Sequence, residues 1–302
     1  MTRRLARLLP ATCTLLTGCG ALDRGFLSPA GPIASAIRDE FFLVCLVMLL
    51  VITPVLILTP LIAWHYRLSN TKSAYRPRWA WNWWIEGLIW IPPIGIVIFL
   101  GVFLWRDTQE LDPYKPLPGA ALEVQVVAMD WKWLFIYPEQ GVATVNRLII
   151  PAGQAVHLSL TSATVMQSIL MPRLAGQITV MAGMRTQLNL AADAPGSYFG
   201  ENVQFNGMGF QNQKFTVDSM APAAFVRWVA QTRAQPNRLD PAAYEVLSHR
   251  SVLPAPLAFG AVQPDLFQHI LSLSQPSGHT LSLQKLGPPV TSMPMETPKH
   301  DD

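Results

Sequence analysis

Cysteine is scarce in this 302-residue chain: Cys13, Cys19 and Cys45 are its only three, all within the first 45 positions. No disulfide or thiolate metal site can form beyond them, which excludes a disulfide-stapled scaffold. Charge is scarce too. Only 14% of residues are Asp, Glu, Lys or Arg, against about 25% in ordinary soluble domains. The shortage is uneven: residues 1–106 hold ten Lys/Arg against four Asp/Glu, whereas 107–302 hold twelve against fifteen. The formal charge of +3 is therefore a basic front end joined to a mildly acidic remainder. A nucleic-acid binder needs a basic patch on its folded part, and that class is excluded. A phosphate-cradling glycine loop and a nucleophile–base pairing are missing as well.

What the chain has instead is apolar sequence in long runs. Phe41–Trp64 is 24 residues without a charge, more than the roughly 20 needed to cross a bilayer. Its Thr53-Pro54 and Thr59-Pro60 steps are tolerable where neighbouring helices re-satisfy the freed backbone groups. A second run, Trp83–Trp105, carries Glu86 and then 19 uncharged residues. Seven of the ten tryptophans, Trp64 to Trp105, flank or cap these runs, as an interfacial aromatic belt does. The loop between them contains Arg67, Lys72, Arg76 and Arg78 and no acid. Positive-inside bias places this loop in the cytoplasm and both chain ends outside.

Arg3, Arg4 and Arg7 precede a short apolar stretch, Leu8–Leu16, that ends in Leu16-Thr17-Gly18-Cys19. The arrangement has the parts of a secretory signal, and its end resembles a bacterial lipobox, which implies cleavage before Cys19 and lipidation of its thiol. Removal of residues 1–18 takes three arginines and brings the formal charge from +3 to zero.

Beyond Trp105 the pattern shortens. Glu123–Trp133, Arg147–Pro151, Ala155–Thr161, Gln177–Val180, Arg185–Ala191, Gly196–Phe199 and Gln213–Val217 read as strands, with Val156, Leu158 and Leu160 in period two. Strands so spaced predict a β-sandwich. Pro222–Leu247 reads as amphipathic helix, with Phe225, Trp228 and Val229 on one face. The expected organisation is signal sequence 1–18, periplasmic segment 19–40, spans 41–64 and 83–105 about a cytoplasmic loop 65–82, linker 106–122, sandwich 123–217, helical extension 218–271 and a Ser/Pro/Thr-rich disordered tail 272–302.

Particular motifs sharpen this. The aromatic run Met129-Asp130-Trp131-Lys132-Trp133-Leu134-Phe135-Ile136-Tyr137-Pro138 resembles the aromatic strand of subunit II of haem–copper terminal oxidases. Met171-Pro172-Arg173-Leu174, Met181-Ala182-Gly183-Met184 and Gly207-Met208-Gly209-Phe210 look like the cytochrome bo-type ubiquinol oxidase branch of that family. The same holds for Phe225-x-x-Trp228-Val229 and Gln263-Pro264-Asp265-Leu266-Phe267. The resemblance runs from about Cys19 to Leu271 and implies a membrane α + β chain: a two-helix transmembrane hairpin, then a periplasmic cupredoxin-like sandwich with a helical extension.

Copper-bearing relatives in this family hold two coppers with histidines, bridging cysteines, a methionine and a backbone carbonyl. The family's first histidine falls on Gln167, and its Cys-x3-Cys-x3-His-x2-Met loop falls on Asn202, Asn206, Phe210 and Gln213; the carbonyl-donating glutamate falls on Gln204. Neutral amides do not replace soft thiolates, so no metal is expected in this chain. His157, the only histidine in the sandwich, is most simply an outward-facing or hydrogen-bonded strand residue. Met129, Met166, Met171, Met181, Met184 and Met208 are soft donors, but core and interface packing is the better default. Without a metal beneath them, Trp131 and Trp133 read as packing or docking residues rather than an electron entry.

Glu86 is the one ionisable residue inside the second span. Such a carboxylate is a functional candidate, although near the boundary it can also snorkel to water. Trp84-Ile85-Glu86-Gly87-Leu88-Ile89-Trp90 resembles the family segment whose glutamate stands at a proton-pathway entrance. The resemblance thus implies a subunit II without redox groups, with haems and copper in subunit I, smaller membrane subunits and membrane lipid as partners, ubiquinol as donor to the complex, and an inner-membrane location. Two rivals are a copper-bearing cytochrome c oxidase subunit and a membrane-anchored lipoprotein binding module on a degenerate cupredoxin fold.

Overall fold

The computed structural model describes residues 25–71 and 78–273. The signal sequence, Cys19, Lys72, Arg76 and the tail from residue 274 lie outside the described residues.

Two long helices come first. α1 spans Pro32–His65, with Pro32 in its first turn after an extended Gly31, the position where proline's fixed φ and missing N–H cost nothing. α2 spans Trp83–Glu110, and the Asn82 side chain caps it by accepting from Trp84 N at 3.0 Å and Ile85 N at 3.4 Å. The most apolar stretch of each helix buries nothing within the chain, which leaves it for lipid or for other membrane helices. Both helices run past the apolar limits read from the sequence: α1 begins at Pro32 rather than Phe41, and α2 continues to Glu110 rather than Trp105. Charge marks where the bilayer ends, but it does not end a helix.

The sandwich follows. β1 (Leu122–Met129), β2 (Lys132–Tyr137), β3 (Val142–Val145), β5 (Ala155–Ser162) and β8 (Thr186–Ala191), with β12 (Leu257–Phe259), form a sheet in the order β12-β3-β2-β1-β5-β8. β4 (Arg147–Pro151), β6 (Gln167–Leu170), β7 (Gln177–Val180), β9 (Gly196–Asn202) and β10 (Lys214–Met220) form the second, in the order β4-β10-β9-β6-β7. β1 runs parallel to β5 and β4 parallel to β10, while the other pairs in these sheets are antiparallel.

Three expectations need correction. The single strand Glu123–Trp133 is two strands reversing at Asp130-Trp131, where Trp131 has φ 69°, a left-handed geometry that a bulky residue rarely adopts. Val142–Val145 and Gln167–Leu170 are strands that short length and neighbouring turns had hidden. The extension is mixed rather than helical: α3 (Pro222–Arg233), β11 (Arg238–Leu239), α4 (Pro241–Ser248), β12, β13 (Ala261–Val262) and α5 (Leu266–Leu273). Pro236 interrupts the helical pattern because a proline supplies no N–H and clashes with the preceding turn. α5 also carries Ser272 and Leu273, which read as the start of the tail.

Every residue of β2 is buried, and alternation assigns its two faces. Trp133, Phe135 and Tyr137 point into the core between the sheets, and Leu134 and Ile136 into a second core under the extension with Tyr244, Leu247 and Phe267. The extension therefore covers the outer face of the first sheet, which explains why β2 is apolar without a break from Trp133 to Tyr137. The Tyr137 hydroxyl donates to Ile149 O at 3.0 Å and accepts from Ile149 N at 2.7 Å, and burial pushes its pKa upward.

Both helices are tied to the β8 side of the sandwich. Ala30 N donates to Arg173 O (2.7 Å), Asp193 N to Ala30 O (2.9 Å), and Arg173 Nε to Ser28 O (2.6 Å). Asn189 donates from its main chain and its side chain to Pro113 O at 3.1 and 3.0 Å. A Cβ on Gly31 would lie 2.1 Å from Ala191 O, so only glycine lets the chain enter α1 this close to the strand.

Candidate functional site

Four of the positions to which the family's copper ligands were assigned meet in one place. β6 supplies Gln167, the end of β9 supplies Asn202, and the following loop supplies Asn206 and Gln213. Gln213 is the hub. Its Nε2 donates to Gln167 Oε1 (2.5 Å) and Met129 O (3.1 Å), and its Oε1 accepts from Asn202 Nδ2 (3.0 Å) and Asn206 Nδ2 (2.7 Å). Asn202 is equally saturated. Its Oδ1 accepts from Ser168 N (3.1 Å) and Gln204 N (3.0 Å), and its Nδ2 also donates to Gln204 O (2.8 Å). Because Asn202 Oδ1 faces two main-chain N–H groups and Gln213 Nε2 faces a main-chain carbonyl, both amide orientations are fixed by the backbone. Gln167, Asn202 and Gln213 are almost wholly buried, where satisfied networks rigidify and unsatisfied ones are costly.

The other two positions behave differently. Gln204 takes part through its main chain. Phe210 lies outside the network in a 3-10 turn, its ring 5.7 Å from that of Phe205.

Next to this network is a polar cluster that the sequence did not disclose. Asp130 and Lys132 are 3% and 1% exposed. Asp130 accepts from Thr164 Oγ1 (2.8 Å) and from Arg250 Nε of the extension (2.7 Å). Lys132 Nζ donates to His249 O and Ser251 Oγ, both at 2.7 Å. Burial lowers the Lys132 pKa, and the nearby Asp130 partly opposes that. Thr164 also accepts weakly from Gln167 Nε2 at 3.4 Å, which joins the two clusters. The one available signal was a lysine between two tryptophans in an otherwise apolar strand.

Trp133 packs in the core against Phe215, and Trp131 lies over Gly207 and Gly209. A Cβ on Gly209 would come within 2.2 Å of the Trp131 ring. His157 is a hydrogen-bonded strand residue, its Nδ1 2.9 Å from Asn189 Oδ1. Among the methionines, Met129 and Met171 fill the core, whereas Met166, Met181, Met184 and Met208 are exposed and open to an interface. Among the described residues no three of His, Cys, Asp and Glu group as a metal site. Glu86 lies in the first turn of α2, half-buried, where its Oε2 accepts from Trp90 Nε1 at 3.0 Å.

Comparison with known proteins decides the family. A model of the periplasmic domain of cytochrome c oxidase subunit II matches residues 139–220. Cytochrome bo(3) ubiquinol oxidase subunit 2 of Pseudomonas putida is 42% identical over 259 residues, covering 85% of this chain and 82% of the relative. Ubiquinol oxidase subunit 2 of Acetobacter aceti is 40% identical, covering 87% and 85%. The Pseudomonas aeruginosa counterpart is 39% identical, covering 87% and 79%. The chain belongs to the ubiquinol oxidase subunit 2 family. Membership bears out the likeness read from the motifs, and with it a subunit of a terminal oxidase, an inner-membrane protein with a periplasmic cupredoxin-like domain. As a ubiquinol oxidase subunit 2, the chain keeps the sandwich of the cytochrome c oxidase domain that its model matches, with amides at the positions discussed above.

Proposed function

We propose that the chain serves as the non-redox subunit II of a proton-pumping oxidase that oxidises ubiquinol and reduces oxygen to water. Haems and the oxygen-reducing copper belong to subunit I. This chain supports assembly with subunit I and smaller membrane subunits, and Glu86 takes up protons. The amide network carries the reading. Gln213 Oε1 and Asn202 Oδ1 each already accept two N–H donors, leaving no lone pair for a metal, and an amide does not ionise to become a strong ligand. Asn206 Oδ1 is buried without a partner, but one neutral amide oxygen does not replace a set of thiolate and imidazole ligands, so the residues at this place do not fit copper.

Glu86 supports the second part. One carboxylate oxygen is held by Trp90, while Oε1 has no hydrogen-bond partner among the described residues and is open to water or to a neighbouring subunit. Cys19, outside the described residues, would be lipidated after removal of residues 1–18 and would act as an auxiliary tether, since a single acyl chain anchors only marginally.

The test is oxygen uptake by the complex purified through a tag on this chain, with ubiquinol or reduced cytochrome c as donor. Uptake with ubiquinol alone is expected. Uptake with cytochrome c would overturn the non-redox reading, and a chain that purifies with neither haem nor uptake would instead be a membrane-anchored lipoprotein binding module.

A further inference from the structure

Where the helices meet the sandwich there is a cleft whose walls include Ile33, Ile37 and Glu40 of α1, Leu104 and Asp107 of α2, and Lys115 just beyond. Its height relative to the bilayer follows from the sequence. The charge-free run of α1 begins at Phe41 and that of α2 ends at Trp105, so Glu40 and Asp107 lie in the headgroup layer on the sandwich side.

Both carboxylates are half-buried, and neither has a hydrogen bond or ion pair among the described residues. The nearby Arg38 is engaged with Asp39 at 2.8 Å. Asp107 also stands in the last turn of α2, which contains no base. A helix presents its negative end there, so the acid is placed where a cation is most needed. Among the described residues no three of His, Cys, Asp and Glu group here, and the two carboxylates have the charge and the acceptor oxygens to take the N–H donors of an ammonium. Lys115, on the same cleft, offers a positive charge to an anion, and the isoleucines and Leu104 offer apolar wall.

We propose that this cleft binds a zwitterionic glycerophospholipid with a primary ammonium headgroup. The ammonium sits between Glu40 and Asp107, the phosphate beside Lys115, and the acyl chains leave past Leu104 into the bilayer. The lipid would fill the junction between hairpin and sandwich and so fix the angle between them. The inference rests on the membrane hairpin, and its test on the assembled oxidase proposed above.

The intact complex, purified through this chain and stripped of loosely held lipid, would be reloaded with phosphatidylethanolamine, phosphatidylcholine or phosphatidylglycerol and examined by native mass spectrometry. Phosphatidylethanolamine should be retained over both others. Glu40→Gln with Asp107→Asn, or Lys115→Glu alone, should reduce retention about tenfold, as expected for losing a hydrogen bond to a charged group. Glu110→Gln, an acid of the same helical turn outside the cleft, should leave retention unchanged, and haem absorbance would verify that each variant assembles. Equal retention of phosphatidylglycerol or phosphatidylcholine, or retention that the cleft substitutions do not alter, would overturn the proposal. So would a complex that retains no phosphatidylethanolamine.

Discussion

Replacing Gln213 with leucine tests whether the amide network is a structural unit. The two side chains are similar in size, so the change removes four hydrogen bonds with little change in packing. Gln167 Oε1 and Asn206 Nδ2 have only Gln213 as partner among the described residues, whereas Asn202 Nδ2 keeps Gln204 O. Two polar groups, the buried Gln167 Oε1 and the partly buried Asn206 Nδ2, are therefore orphaned. Each costs about 1–3 kcal/mol, and partial relaxation or entry of water brings the expected total to about 3 kcal/mol. Hydrogen exchange of the intact complex is the suitable assay, because Asn202 N, Val203 N and Gln204 N donate inside or beside the network. Their exchange should accelerate about a hundredfold, the equivalent of that free energy, while β1 and β5 stay protected. The double variant Gln167→Leu/Gln213→Leu should cost less than the two single changes added together, since it removes one of the orphans along with its partner. Acceleration below about threefold at these amides, or equal acceleration throughout the sandwich, would refute the argument.

Other substitutions probe the neighbouring features. Gly209→Ala drives a methyl group into the Trp131 ring and should destabilise the turn by about 1–3 kcal/mol, read as a shifted tryptophan fluorescence maximum without loss of haem. Lys132 has a pKa below its usual value of 10.5, so the unfolded chain binds more protons between the lowered value and 10.5 and stability should rise with pH across that window. Lys132→Met should flatten the rise, seen by denaturant titration at stepped alkaline pH; an unchanged slope would mean that the lysine is not buried as described. Glu86→Gln should reduce ubiquinol-driven oxygen uptake several-fold in an assembled complex with normal haem absorbance, and Glu86→Asp should restore part of it. Full activity in Glu86→Gln would remove the proton-uptake role.

The sequence disclosed most where physics imposes a long or repeated pattern. Two apolar runs with a basic loop between them announced the hairpin, and period-two alternation announced β5. Residues whose position depends on distant partners stayed hidden. Nothing local in the sequence marks Asp130 and Lys132 as buried, because nothing reveals that Arg250, His249 and Ser251 fold back over them. The reversal at Trp131 was likewise invisible, since the turn lacks the glycine or asparagine that normally marks left-handed backbone. Spacing did place Gln167, Asn202, Asn206 and Gln213 in one cluster, but only through the family pattern. That the amides would bond to one another depends on side-chain directions that spacing does not determine.

The motifs that carried the resemblance can also be understood as joints. Arg173 of Met171-Pro172-Arg173-Leu174 holds the segment that enters α1, through Ser28 and Ala30. Asp130 and Lys132 of the aromatic run hold the extension, and Gly209 of Gly207-Met208-Gly209-Phe210 makes room for Trp131. Each motif fixes the sandwich to another part of the chain, or one sandwich loop to another, and none of these contacts requires a metal. A subunit II would have to hold these joints whether or not its sandwich carried a metal. On this argument the loop from Asn202 to Gln213 keeps its shape because amide hydrogen bonds cross-link it to β6 and to the end of β1.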